Sequence, residues 1–224
     1  KIDKFGYQLG LRAENSDIGI DYRSLSGNVS RKDKNYTGFF PSVFLSYDLG
    51  STNNQLLLNY SRRINRPRSW FMIPYPTSLA NRQNLFRGNE DLNPEYIDSF
   101  ELGYAIQKKK LTINPTLYYR STQDETQFVV MSESPGSNVL ITCPYNIGSD
   151  QQYGLDLNAT ADLFSWWKIM ASADLFGYKT EGEFFDAATM TKPLSFDGSG
   201  FSTRFRLTNS FKIDKTLGMQ VQGF

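Results

Sequence analysis

The sequence predicts an all-β chain: about nine antiparallel strands that form part of a transmembrane β-barrel. Three observations predict it. Run after run alternates apolar and polar residues, the period of a strand with two unlike walls. The connections are short and long by turns: short near 50–54, 108–110, 164–166 and 214–216, long near 23–38, 66–94, 131–145 and 181–200. Barrels of the outer membrane are trimmed at one end and elaborated at the other in this way, whereas a soluble sandwich, which would also alternate, gives no reason for such regularity. Finally, Tyr47, Tyr60, Tyr104, Trp167 and Phe211 fall on the apolar wall toward strand ends, where interfacial aromatic girdles sit.

In chain order, Phe5, Tyr7, Leu9 and Leu11 alternate with Gly6, Gln8, Gly10 and Arg12, and alternation resumes at 18–22. A polar segment over 24–34 reads as a solvated loop. Val43, Leu45, Tyr47 and Leu49 then oppose Ser42, Phe44, Ser46 and Asp48. The stretch 55–107 is the clearest: Leu56, Leu58, Tyr60 and Ile64 stand against Asn59, Ser61, Arg63 and Asn65, and after a long loop Phe100, Leu102, Tyr104 and Ile106 stand against Ser99, Glu101, Gly103 and Ala105. Lys108, Lys109 and Lys110 make the next turn. Leu111, Ile113, Leu117 and Tyr119 follow, with Pro115 inside the run; proline cannot donate to a ladder, so a bulge or local break is expected there. A loop around 132–137 ends near Cys143. Alternating runs then cover 153–163, 167–175 and 204–212, and the last residues still alternate.

Composition excludes several classes. The 224 residues carry a formal net charge of +1, which gives no reason to expect nucleic acid as a partner. There is no histidine, and neither a Gly-x-Ser-x-Gly element nor a metal-ligand cluster, so no enzymatic activity and no cofactor are expected. One cysteine, Cys143, allows no internal disulfide and reads as a half-buried loop residue. No apolar run approaches the roughly 18–20 residues of a membrane-spanning helix; a membrane strand needs only about 9–11, half of them polar. No secretory signal precedes the first strand. Residues 1–224 read as one partial barrel domain of a longer polypeptide.

Tyr60-Ser-Arg-Arg-Ile-Asn-Arg-Pro67, then Gly88-Asn-Glu-Asp-Leu-Asn-Pro-Glu95, then Phe100-Glu-Leu-Gly-Tyr104 resemble the barrel of TonB-dependent outer-membrane receptors, in particular the SusC/RagA-like group and related outer membrane β-barrel proteins. Gly10-Leu-Arg-Ala-Glu14 and residues 40–47 fit the same pattern, which covers most of 5–120 well and the remainder by alternation alone. The resemblance implies a 22-stranded barrel in a Gram-negative outer membrane, a plug domain inside it, and import of a nutrient energised by TonB–ExbB–ExbD acting on an N-terminal region with a TonB box. Box, plug and the remaining strands are not in this stretch. A SusD-like surface lipoprotein is a further partner the resemblance suggests, besides outer-membrane lipid.

Two groups of candidate residues follow. Arg12, Arg63, Glu101, Arg120, Asp156, Arg204 and Arg206 sit on the polar wall, which in a wide barrel faces a wet lumen. Arg63 and Glu101, on adjacent strands, are expected to pair with each other or with the plug, or else to form a screened pair worth roughly 0–1 kcal/mol. In the 66–94 loop, Arg66, Arg68, Trp70, Phe71, Tyr75, Arg82, Phe86 and Arg87 are the residue types that dominate recognition sites. They would capture a ligand or dock a lipoprotein lid; packing among themselves or contact with lipopolysaccharide phosphates are the other readings. A passive pore and a surface β-sandwich adhesin remain the alternatives to an energised importer.

Overall fold

The structure, a computed structural model, describes residues 3–23, 29–50, 54–81, 83–134, 136–185, 192–214 and 216–224. Nine strands form one sheet in which every neighbouring pair is antiparallel: β1 (Phe5–Arg23), β2 (Val29–Asp48), β3 (Gln55–Asn65), β6 (Glu95–Lys108), β7 (Leu111–Gln123), β10 (Ser149–Phe164), β11 (Trp167–Phe184), β12 (Leu194–Lys212) and β13 (Gly218–Gly223). Between them lie a 3-10 turn, Ser69–Met72, and four short strands, β4 (Thr77–Asn81), β5 (Asn84–Phe86), β8 (Thr126–Ser132) and β9 (Leu140–Asn146), which form a second sheet in the order β4-β5-β9-β8.

Register fixes which residues share a wall. Leu45, Leu58, Leu102, Leu117, Leu155 and Leu175 are successive ladder partners, so one rung of the large sheet is six leucines wide. Of these, Leu58, Leu102 and Leu117 are exposed by 44–56%, and none of the described residues forms a layer over them. An apolar surface so continuous is far beyond what a soluble monomer shows to water. Leu207 is also exposed; Leu157 is half-buried next to the small side chains of Ala173 and Ala159 and the ring of Phe205. Both lie on this same wall, and among the described residues no second layer packs on them.

Aromatic residues bound this wall. Phe5, Tyr47, Trp167 and Phe211 stand at or one residue from the short-turn ends, with Tyr104 slightly further in. Phe39, Phe100, Tyr119, Tyr153 and Phe201, all exposed, stand about eight to eleven residues along their strands. At a rise of about 3.3 Å and a tilt near 40°, that separation is roughly 20–28 Å, the height of the apolar band of an outer-membrane barrel. Tyr60 stands on this same rung as the ladder partner of Phe100, its ring tilted against that of Phe100 at 4.8 Å and its hydroxyl donating to Asp98 at 2.8 Å.

Where alternation lapses between 12 and 18 the strand does not, and β1 runs unbroken from Phe5 to Arg23. Three expectations need correction. The loop expected over 23–38 is mostly strand, since β2 begins at Val29 and pairs with β1 throughout. The loop expected over 181–200 likewise narrows, with Phe184 still paired to Leu194. Residues 24–28 and 186–191, and 51–53 of a short turn, lie outside the described residues. In both loops the strands continue beyond the apolar band, where both walls meet water and hydropathy no longer alternates; Asn15 bonded to Thr37 at 2.9 Å is one such rung. The loop expected over 131–145 is largely the hairpin β8–β9. Pro115 behaves as its chemistry requires: the β6–β7 ladder lacks pairs opposite 114–115 and resumes in the same register at Ile106–Ile113, without a bulge.

These two walls predict opposite responses to charge. Leu117→Arg, near mid-height on the apolar wall, should destabilise the full-length protein in a bilayer by about 2–4 kcal/mol, and Asn114→Arg on the polar wall by less than about 1, in urea unfolding from lipid vesicles. Equal costs would contradict the assignment of the walls.

Candidate functional site

Among the described residues the buried apolar side chains gather at the long-loop end, with Phe40, Ala105, Phe176 and Phe184 also buried on strands of the large sheet. Met72, Phe86, Leu92, Ile141, Cys143 and Ile147 are each 1–8% exposed. They belong to an outer cap formed where the 66–94 loop meets the β8–β9 hairpin, and β5 pairs in parallel with β9 to join the two.

The segment 88–95 holds the cap together, residue by residue. Gly88 is buried, its N–H donates to the Ile73 carbonyl at 2.8 Å, and a Cβ there would lie 2.4 Å from that oxygen. Only glycine lets the backbones approach so closely. Asn89 donates its amide N–H to the Phe71 carbonyl at 2.7 Å and its side-chain amide to the Pro144 carbonyl at 3.1 Å, while its Oδ1 accepts from the Asp91 N–H at 2.9 Å. Leu92 is 1% exposed and its carbonyl accepts from Lys34 Nζ at 2.6 Å. Asn93 and Asn146 bond reciprocally at 2.7 and 3.0 Å, and Asn146 also reaches the Asp124 carbonyl. Glu95 closes the segment by accepting from the Thr126 N–H at 2.9 Å and from Asn65 at 2.8 Å.

A hinge joins cap to barrel. Between β7 and β8, Asp124 takes a left-handed conformation (φ 57°), and between β9 and β10 so does Gly148 (φ 130°). A Cβ on Gly148 would fall 1.9 Å from the Glu181 carbonyl, so β10 and β11 cross here at backbone distance. Burial pushes the Glu125 carboxyl above its ordinary pKa; a hydrogen bond from Gln127 opposes this, and Asp150 and Glu95 reinforce it. Among the described residues its buried Oε2 has no hydrogen-bond partner.

The expected loop residues divide sharply. Trp70 and Tyr75 are exposed by 47% and 46%. Phe71 is half-buried, Phe86 is buried, and both pack with Trp70, whose ring lies 4.1 Å from Phe71 and 4.9 Å from Phe86. Arg66 is turned to the barrel, not outward: it pairs with Glu14 and bonds Ser16 at 3.1 Å. Arg87 is half-buried; burial works against its charge, but hydrogen bonding to Cys143 and Tyr145 raises its pKa overall. Arg68 is exposed beside a cleft of about 380 Å³ lined also by Asn65, Phe71, Glu95 and Thr126. Arg82 lies outside the described residues. The reading missed Phe128, half-exposed on β8, whose ring meets Phe71 edge-on at 5.1 Å. Alternation of Phe128 and Val130 was the signal for it. Cys143, expected half-buried, is 2% exposed.

On the polar wall, Arg63 and Glu101 do not meet. Arg63 stands opposite Ile97, and Glu101 opposite Asn59, which donates to it at 3.3 Å. Arg12 pairs with Glu14 at 2.8 Å and lies over Phe40. Asp174 accepts from the Tyr118 hydroxyl at 2.9 Å and pairs with Arg204 at 3.5 Å, with Asp156 beside it in the ladder. Arg120 and Arg206 lie over the rings of Tyr118 and Phe224. Among the described residues no cluster of His, Cys, Asp and Glu could hold a metal ion, and no helix is long and apolar enough to cross a membrane.

An antiparallel ladder with a lipid-compatible wall, trimmed turns at one end and a packed cap at the other defines a β-barrel protein of the outer membrane. The chain belongs to the outer membrane protein beta-barrel family, which it matches over residues 1–224. Among solved structures it is similar to the copper transporter OprC (TM-score 0.62, 14% identity, 99% of this chain and 39% of that one). It is also similar to the hemophore receptor HasR of Serratia marcescens, determined as a double mutant with its hemophore HasA and heme (0.61, 14%, 97% and 45%). A third is the siderophore receptor PirA from Pseudomonas aeruginosa (0.56, 14%, 95% and 44%). At these identities the likeness is one of fold, and the chain spans less than half the length of each. No curated protein sequence matches it.

Two variants test the cap and its hinge. Asn146→Ala removes bonds from both partner segments and should loosen the cap by about 1–2 kcal/mol, read as faster protease cleavage within 66–94 while the barrel stays folded. Because the folded-state pKa of Glu125 is raised, its favourable contribution is full below the ordinary glutamate pKa and is lost as pH rises through the raised value. Hydrogen exchange around 124–126, corrected for intrinsic rates, should show weaker protection at pH 8 than at pH 4, and Glu125→Gln should abolish the difference.

Proposed function

We propose that this chain is part of an outer-membrane importer that captures a nutrient at its cap and passes it through a plugged barrel energised by TonB. The observation that carries the reading is the cap itself: Trp70, Tyr75 and Phe128 stand exposed on a frame buried beneath them, with Arg68 at the neighbouring cleft. Rigid aromatics and an arginine on a packed support are suited to capture, because little ordering entropy is lost on binding.

The polar wall faces the lumen in this reading. Arg12, Arg120, Asp156, Arg204 and Arg206 present charge to a plug domain supplied by the rest of the polypeptide, and hydrated pairs of this kind are weak enough to be displaced by limited force. Arg63 and Glu101 stand on different rungs, and in this reading each would meet the plug and not the other. The resemblance to the SusC/RagA-like group supports a surface lipoprotein of SusD type as a partner at the cap. TonB–ExbB–ExbD would act on the region before this chain. That the three similar structures are a transporter and two receptors supports the reading.

Growth on a nutrient that requires the full-length protein tests it. Trp70→Ala with Phe128→Ala should reduce uptake at least tenfold without loss of folded protein from the outer membrane, and deletion of TonB should abolish uptake. Uptake that survives without TonB would indicate a passive pore, and uptake unaffected by the aromatic variants would remove the cap from the mechanism.

A further inference from the structure

The short-turn end carries a second concentration of chemistry that import does not use. Phe164, Trp166, Trp167 and Phe211 form a continuous ring stack, with centroids 5.5–6.2 Å apart and planes within 8–25° of one another. Phe164 and Trp166 are half-exposed, and a cleft of roughly 420 Å³ opens beside the stack with Lys212 at its rim. The neighbouring turn is the lysine triplet. Lys110 is joined directly to the end of β10, its carbonyl accepting from the Asp162 N–H at 2.9 Å, and Lys108 stands on the apolar wall opposite Leu111.

The charges here are uncompensated. Lys108, Lys109, Lys110 and Lys212 are all exposed, and among the described residues none has a carboxylate within ion-pair distance. The two nearby acids are otherwise placed. Asp214 is held by the N–H groups of Thr216 and Leu217 and the Thr216 hydroxyl, which keep its carboxyl below the usual pKa, and Asp162 stands on the polar wall opposite Lys168. Aromatic rings mark where acyl chains give way to headgroups, and unpaired lysines at that level attract negative charge.

We propose that the Lys108, Lys109 and Lys110 turn and the aromatic stack together bind the headgroup of an anionic phospholipid in the leaflet that the short turns face. The lysines neutralise the phosphate, and the rings of Phe164 and Trp166 pack on the glycerol and the first acyl carbons. Lys212 closes the site from the other side of the stack. The site rests on the membrane-barrel assignment and is independent of what is imported.

Native mass spectrometry of the full-length protein, released from nanodiscs of equal phosphatidylglycerol and phosphatidylethanolamine, tests this. Phosphatidylglycerol should be retained in clear excess, and Lys108→Gln, Lys109→Gln, Lys110→Gln together should lower that excess at least tenfold. The triple arginine variant should keep it, and Trp166→Ala should weaken retention of both lipids. Heat-modifiable gel mobility verifies that each variant is folded. Equal retention of the two lipids by the unmodified protein, or an excess unchanged by the glutamine variant, would overturn the proposal whatever the outcome of uptake assays.

Discussion

Inside a bilayer no water is available to a peptide group, so each N–H and C=O must find its partner within the chain. That constraint governs this protein more than any single contact. It is why the large sheet is laddered from neighbour to neighbour, and why even Pro115, which cannot donate, leaves the register intact on both sides. With the backbone satisfied in the ladder, side chains are free to serve two solvents. The leucine rung serves the lipid, and the wall behind it, with Asn59, Glu101 and Tyr118 in successive ladder positions, serves water.

Packing in the ordinary sense is displaced to the outer end. The segment 88–95 resembles a family signature, and the structure gives it a mechanical explanation: it is the joint between two loops remote in sequence. Gly88 admits backbone contact, Asn89 and Asn146 use side-chain amides to bond backbone across the joint, and Glu95 receives strands from both sides. Arg66, which composition alone would assign to a ligand, belongs to the same structural work, fastening the end of β3 to Glu14 and Ser16 of β1. In the proposed importer, recognition would fall to the few side chains the frame pushes outward.

What the sequence revealed, and what it hid, follow one rule. Where two solvents bound a strand, polarity alternates, and Leu56 to Ile64 or Phe100 to Ile106 could be placed on their walls by inspection. Above the bilayer both walls are wet, so the pairing of Asn15 with Thr37 or of Glu181 with Asp197 leaves no hydropathic trace. In the cap, β9 is covered so thoroughly that Ile141, Cys143 and Pro144 carry no alternation. The meeting of Phe71 with Phe128 is a tertiary contact across 57 positions, beyond any local pattern. The failed pairing of Arg63 with Glu101 came from treating a shared wall as a shared rung.

Lipid covers the apolar wall. Spin labels at Leu58, Leu102 and Leu117, placed one at a time in the full-length protein reconstituted in vesicles, measure this directly through collision with oxygen and with a water-soluble nickel chelate. The account predicts strong collision with oxygen and little with nickel at all three, and the reverse at Asn114. Frequent nickel collisions at the leucines, or protection from both reagents, would mean that water or protein lies against that wall and would contradict it.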